Sequence, residues 1–216
     1  MVRVGLALGV TALLLPTIAP SVPPAPEATA QAGLMVAAEV ITGLWLGWLA
    51  RMVVLALPIG GQFISYMLGL SNVLQPDPEL GGQATPIARM FSLAAPLTLL
   101  VTGLYAVPLA ALAGSYQLIP PGALLPAADS TATAVAAVGA AFKLALRIAS
   151  PFILVSIVWH VATGLLARLV PRLQVYFIAM PAQIVGGIVL LMVLMSGLLA
   201  AWEMGVRAGF NHLPGL

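Results

Sequence analysis

Two histidines and six acidic residues are the only groups in this 216-residue chain suited to moving a proton near neutral pH or ligating a metal. Their spacing serves neither purpose. His160 stands beside Trp159 in an apolar run, and His212 lies in the C-terminal tail. Asp77 and Glu79 are two positions apart in a proline-containing segment, where nothing makes their carboxylates face each other. The expected role of such a pair is to solvate a loop. No HExxH, GxSxG or P-loop pattern occurs. The absence of cysteine removes disulfides, thiol nucleophiles and thiolate-bound metals. The expectation is a non-enzymatic protein with no metal and no cofactor, in which His160 packs between helices.

Composition says what surrounds these residues. Hydrophobic residues make up 62% of the chain and charged residues 6%, with a mean hydropathy of +1.11. Soluble domains carry roughly a quarter charged residues, so a monomer this poor in charge could not stay dissolved. The chain reads as a polytopic membrane protein. Its net charge of +2 comes from scattered Lys and Arg rather than a basic patch, and no nucleic-acid partner is expected. The first residues, MVRVGLALGVTALLLPTIAP, imitate a secretory signal. A greasy first span followed by further greasy spans is expected to be a retained helix.

Five apolar blocks follow one another: Val4 to Ala19, Leu34 to Leu70, Ile87 to Ala113, Ala132 to Val170 and Leu173 to Trp202. None shows the period-two alternation of a half-buried strand. In lipid, only helices or closed barrels satisfy the backbone. The expected fold class is therefore all-α, a membrane-associated protein of kinked helices and helical hairpins. Pro16 is expected to break the first block. The second is long enough for a tilted span plus an extra piece, or for a hairpin turning at Pro58-Ile59-Gly60-Gly61. Ser150-Pro151 should divide the fourth, and Pro181 with Gly186-Gly187 should interrupt the fifth. Between blocks, Ser21 to Ala30 reads as an extended proline-rich link. Ser115 to Asp129 reads as a proline-punctuated loop, and Arg168 to Arg172 as a tight turn.

Several charges fall inside the apolar blocks. Glu39 and Arg51 are roughly 18 Å apart along a helix, so each needs another partner or a membrane interface. Lys143 and Arg147 share one helix face. Snorkelling to lipid headgroups is the expected fate of that pair, with a neighbour's carboxylates as the alternative.

One segment concentrates polarity. Gly69-Leu70-Ser71-Asn72-Val73-Leu74-Gln75-Pro76-Asp77-Pro78, followed by Gly81-Gly82-Gln83, Pro86 and Arg89, resembles the signature junction of the FliR family. These proteins are core subunits of the flagellar type III protein export gate, with the SctT family as their injectisome counterpart. A second stretch agrees: Pro171-Arg172-Leu173-Gln174-Val175-Tyr176-Phe177-Ile178-Ala179-Met180-Pro181, then Gly186-Gly187. Between them, Leu118-Ile119-Pro120-Pro121-Gly122 resembles the family's proline-glycine loop. The order and spacing of the three carry the resemblance over essentially the whole chain. One departure stands out. Family members usually begin with one more hydrophobic helix, and Val2 to Leu8 looks like the start of the family's second. The expectation is that the first helix is lost or that the start site is placed late.

The resemblance implies a single export-gate domain over 1–216. It implies a structural subunit that joins FliP-type and FliQ-type subunits around a protein-conducting pore. An FlhB-type switch subunit, exported flagellar proteins and membrane lipid are the further partners implied. The implied location is the bacterial inner membrane, within the flagellar basal body. The loop implied to plug the closed pore carries over to Tyr116, Gln117, Leu118, Ile119, Pro120, Pro121 and Gly122. Subunit contacts are expected at Asn72, Gln75, Asp77, Arg89, Gln174 and Pro181. Asn72, Gln75 and Gln83 are expected to satisfy backbone groups freed by the prolines, and Asp77, Glu79 and Arg89 to pair across a subunit contact. The injectisome equivalent and an autonomous small-molecule channel or transporter remain as alternatives.

Overall fold

The computed structural model describes residues 2–21, 28–70, 75–77, 82–123, 126–169 and 175–215. Six helices carry most of these: α1 (Val2–Ile18), α2 (Thr29–Met67), α3 (Pro86–Thr102), α4 (Ala106–Leu118), α5 (Ala127–Leu169) and α6 (Val175–Phe210). A short 3-10 turn, Ala19–Ser21, follows α1. The all-α expectation holds, with one small addition inside the polar segment. There β1 (Gln75–Asp77) and β2 (Gly82–Ala84) pair antiparallel, Gln75 opposite Ala84 and Asp77 opposite Gly82. Three-residue strands this rich in proline and glycine have no alternating apolar pattern for a sequence reading to detect.

The prolines do not divide the helices as expected. Pro16, Pro58, Pro151 and Pro181 all lie inside continuous helices. Each proline removes one backbone donor; in α2, α5 and α6, of 36 to 43 residues, the flanking turns hold the path, and Pro16 falls in the last turn of the 17-residue α1. The real break lies elsewhere. α3 ends at Gly103, and the chain turns by 75° into α4. The third apolar block is therefore two helices, and the hairpin considered at Pro58 to Gly61 does not form.

Gly60 and Gly61 serve packing instead. A Cβ on Gly60 would lie 3.2 Å from the Ala145 carbonyl oxygen and from Ile148 Cγ2. A Cβ on Gly61 would lie 2.8 Å from Phe91 Cδ2 and 3.0 Å from Ala88 Cα. One Gly-Gly pair thus lets α5 approach α2 on one side and α3 on the other, the device by which small residues bring membrane helices together. The core grows from this point. Leu49, Leu57, Ile64, Phe91, Phe152 and Trp202 are all buried and belong to one apolar cluster.

α2 is the central post, contacting α3, α4, α5 and α6. α5 runs parallel to it, since Gly60 meets Ala145 and Ile148 while Leu68 lies near Phe152 and Val155. α6 runs the opposite way, with Gly187 beside Leu68 and Gly209 beside Val53. The α3–α4 pair returns along α2 from Gln62 towards Met35.

Among the described residues, three helices are long and apolar enough to cross a membrane: the spans 29–67, 129–169 and 177–210. At 1.5 Å per residue they measure about 50 to 60 Å, against roughly 30 Å of hydrocarbon in a bilayer. Each reaches well beyond one bilayer or crosses it steeply tilted. Their outer faces stay uncovered by this chain: Leu44, Leu154, Val158, Phe177, Met192 and Val193 are exposed. Lipid or other protein must cover them.

Candidate functional site

The segment after α4 is built onto α2 by one carboxylate. Glu39, half-buried on α2, accepts the Tyr116 hydroxyl proton through Oε2 at 3.1 Å and the Gly122 N–H through Oε1 at 2.8 Å. Tyr116 belongs to the last turns of α4. The Ile119 N–H closes that helix on the Ser115 carbonyl at 2.8 Å. Pro120 to Ala123 then form a tight turn, with the Ala123 N–H bonded to the Pro120 carbonyl at 3.0 Å. Pro121 in the second position and Gly122 in the third, at φ +82°, give the pattern of a type II turn. The turn requires glycine twice over, because a Cβ on Gly122 would also lie 2.7 Å from Met35 Cγ.

The boundaries of the expected loop change accordingly. Ser115 to Leu118 are helical, and α5 already begins at Ala127, so the linker is shorter than Ser115 to Asp129. Its expected plug residues divide into two sets. Tyr116, Ile119, Pro121 and Gly122 are half-buried, while Gln117, Leu118 and Pro120 are exposed. A turn pinned from behind thus presents a small, largely apolar outward edge.

The polar segment is anchored at its exit by a residue the sequence reading passed over. Gln62, on α2, accepts the Thr85 N–H at 3.2 Å and the Thr85 hydroxyl at 3.0 Å through Oε1, and donates to the Tyr66 hydroxyl at 3.1 Å. Thr85 is fully buried and occupies the N-cap position of α3. At the segment's entrance, the Leu70 and Gly69 N–H groups bond back to the Ser65 and Tyr66 carbonyls, a Schellman closure of α2. Gln183 of α6 donates to the Met67 carbonyl at 2.7 Å, satisfying one of the carbonyls that a helix end leaves open. Two half-buried glutamines in apolar blocks therefore tie three helices to one junction. Their signal was their isolation: a lone amide in a greasy helix needs a partner.

Gln62→Leu tests this junction. It leaves the buried Thr85 N–H and hydroxyl without their acceptor. Each orphaned group costs about 1–3 kcal/mol, so a clear drop in thermal stability in mild detergent is expected. An unchanged melting temperature would remove Gln62 from the account.

The expected subunit-contact residues are placed as follows. Asn72 and Gln174 lie outside the described residues, as does Glu79. Gln75 and Asp77 are in β1. Gln83, in β2, is exposed. The Thr85 backbone N–H is satisfied from Gln62 of α2. Arg89 is half-buried in the first turns of α3, its N–H bonded to the Thr85 carbonyl at 2.9 Å. Pro181 is exposed on α6.

His160 departs from expectation. It is exposed on α5, and its Nδ1 lies 2.7 Å from the carbonyl oxygen of Ser156 on the same helix. It does not pack between helices of this chain. Among the described residues no cluster of His, Cys, Asp or Glu could hold a metal ion.

Comparison with known proteins places the chain in a family. The model of "Bacterial export proteins, family 1" matches residues 1–208. The chain is 31% identical over 201 residues to the flagellar biosynthetic protein FliR of Caulobacter vibrioides, covering 93% of this chain and 80% of that one. It is 28% identical over 197 residues to FliR of Bacillus subtilis, covering 90% and 75%. With FliR of Escherichia coli the identity is 26% over 196 residues, covering 90% and 74%.

Proposed function

The chain belongs to family 1 of the bacterial export proteins, the FliR family, and from that membership we propose that it is a non-enzymatic structural subunit of the flagellar type III export gate. The observation that carries this reading is the co-linear match of nearly the whole chain to the family and to three flagellar relatives. The relatives being flagellar favours the flagellar gate over its injectisome counterpart. The exposed apolar flanks on α2, α5 and α6 suit a subunit surrounded by lipid and by other subunits.

In this reading 1–216 acts as one export-gate domain in the inner membrane of the flagellar basal body. It forms part of a protein-conducting pore with FliP-type and FliQ-type subunits and contacts an FlhB-type subunit. The turn held by Glu39 is the plug, with Leu118 and Pro120 towards the pore and Tyr116, Ile119, Pro121 and Gly122 holding it in place. The polar segment around Asp77 and Arg89 makes subunit contacts. Exported flagellar proteins pass when the plug gives way.

The test is co-expression of the tagged chain with the FliP-type and FliQ-type proteins of the same genome, followed by purification in mild detergent and mass spectrometry. A stable complex containing both is expected. A chain that purifies without either would overturn the reading.

A further inference from the structure

The cations of α5 converge on a feature outside the junction and the docked turn. Lys143 and Arg147 line a crevice of about 330 Å³ together with His212, which follows the end of α6. The floor of the crevice is apolar and small-residued: Val53 from α2, Ala141 and Leu144 from α5, Gly205 and Gly209 from α6. Gly205 and Gly209 let α6 close against this floor, since a Cβ at either would run into Leu144 or Val53. Among the described residues, no acidic residue lines the crevice. The acid of α6 in this region, Glu203, is engaged by Arg207 at 2.7 Å. Lys143 and Arg147 make no ion pair among the described residues and are both exposed. In a chain with 6% charged residues, an acid-free concentration of three basic side chains around one hollow stands out.

We propose that this crevice binds the phosphate of an anionic phospholipid, with Lys143 and Arg147 as the principal contacts and His212 closing the third side. The proposal is independent of the assembly reading above. Chemistry alone would also admit free phosphate, and two features favour a lipid. The floor beneath the cations is apolar, matching the glycerol and upper acyl carbons rather than a hydrated ion. The α5 face that continues beyond Arg147 is also apolar and exposed, at Leu154, Val158, Val161 and Leu165. That stretch runs from Arg147 to Arg168, about 20 residues or roughly 30 Å, the thickness of a bilayer's hydrocarbon. The site therefore lies at headgroup depth, with room for acyl chains along the helix.

The experiment mixes the full chain in mild detergent with equal amounts of phosphatidylglycerol and phosphatidylcholine bearing the same acyl chains. Bound lipid is counted by native mass spectrometry. Phosphatidylglycerol should exceed phosphatidylcholine roughly ten-fold. Lys143→Gln with Arg147→Gln should bring the two near parity. Arg168→Gln, which removes a charge at the far end of the apolar stretch, should keep the preference, as should the charge-preserving Lys143→Arg with Arg147→Lys. Thermal melts of every variant establish that each is folded. Equal binding of the two lipids overturns the proposal, and so does a preference that survives the loss of Lys143 and Arg147. Displacement of phosphatidylglycerol by inorganic phosphate overturns the lipid assignment in favour of a free anion. Loss of the preference in a complex with co-purified subunits overturns it in favour of a neighbour's carboxylates.

Discussion

Gly61→Val is expected to unseat α3 from α2 and to cost about 3 kcal/mol or more of stability, the upper range for overpacking a tight contact. The Cβ alone would lie 3.0 Å from Ala88 Cα and 3.1 Å from Ala88 N. Those are backbone atoms and cannot rotate aside, so the helix itself must move. The move would propagate, because Phe91 is fully buried against the same glycine and Thr85 is bound to the next residue, Gln62. Gly43→Ala in the same helix is the control. A Cβ there meets nothing within 4 Å, so replacing glycine in a helix should stabilise by about 0.5–1 kcal/mol. Thermal unfolding of both variants in the same detergent checks the contrast. Equal melting temperatures would mean that α2 and α3 are not packed as described.

That glycine pair also shows where the sequence misleads. Gly60-Gly61 after Pro58 has the composition of a turn, and equally the composition of a helix contact. Only the partners decide, and they lie far away in sequence, at Ala88 and Ala145. The apolar blocks were legible because hydrophobicity is local: each is helical over most of its described residues. Proline positions were not, because a proline in a long packed helix and a proline at a break look the same to a reader without neighbours. The 75° bend at Gly103 carried no proline and passed unnoticed.

At the candidate site, the residues of the docked turn were legible through family resemblance, and their support was not. Glu39 was recognisable as a charge in need of a partner, yet its partners are Tyr116 and the Gly122 backbone, about eighty positions along the chain. Gln62 and Gln183 were missed for the same reason. A hydrogen bond between distant elements leaves one trace in the sequence, an unexplained polar residue in an apolar run. The exit of the polar segment is held from α2, by a residue outside the segment.

Glu39→Ala is expected to release the turn. Both carboxylate bonds vanish together, leaving the Tyr116 hydroxyl and the Gly122 N–H to find water. Hydrogen bonds to a charged group contribute about 1.5–3 kcal/mol each. The site is half-exposed, so the lower end applies to each bond, and a loss of about 3 kcal/mol shifts the docked population some 150-fold. Glu39→Gln keeps one carbonyl acceptor for one of the two donors and should have a smaller effect. Tyr116→Phe removes a single bond and should be milder still. Gly122→Val should match Glu39→Ala by a different route, since valine resists φ +82° and would meet Met35. If the turn is the plug of an export gate, these variants should raise small-ion leakage through the assembled complex in the order Ala, Gln, Phe, with assembly intact. Leakage that ignores this order, while hydrogen exchange at Ile119 to Ala123 follows it, would separate the docking from the sealing: the turn would be held by Glu39 without closing a pore. Exchange that ignores it as well would remove Glu39 from the account.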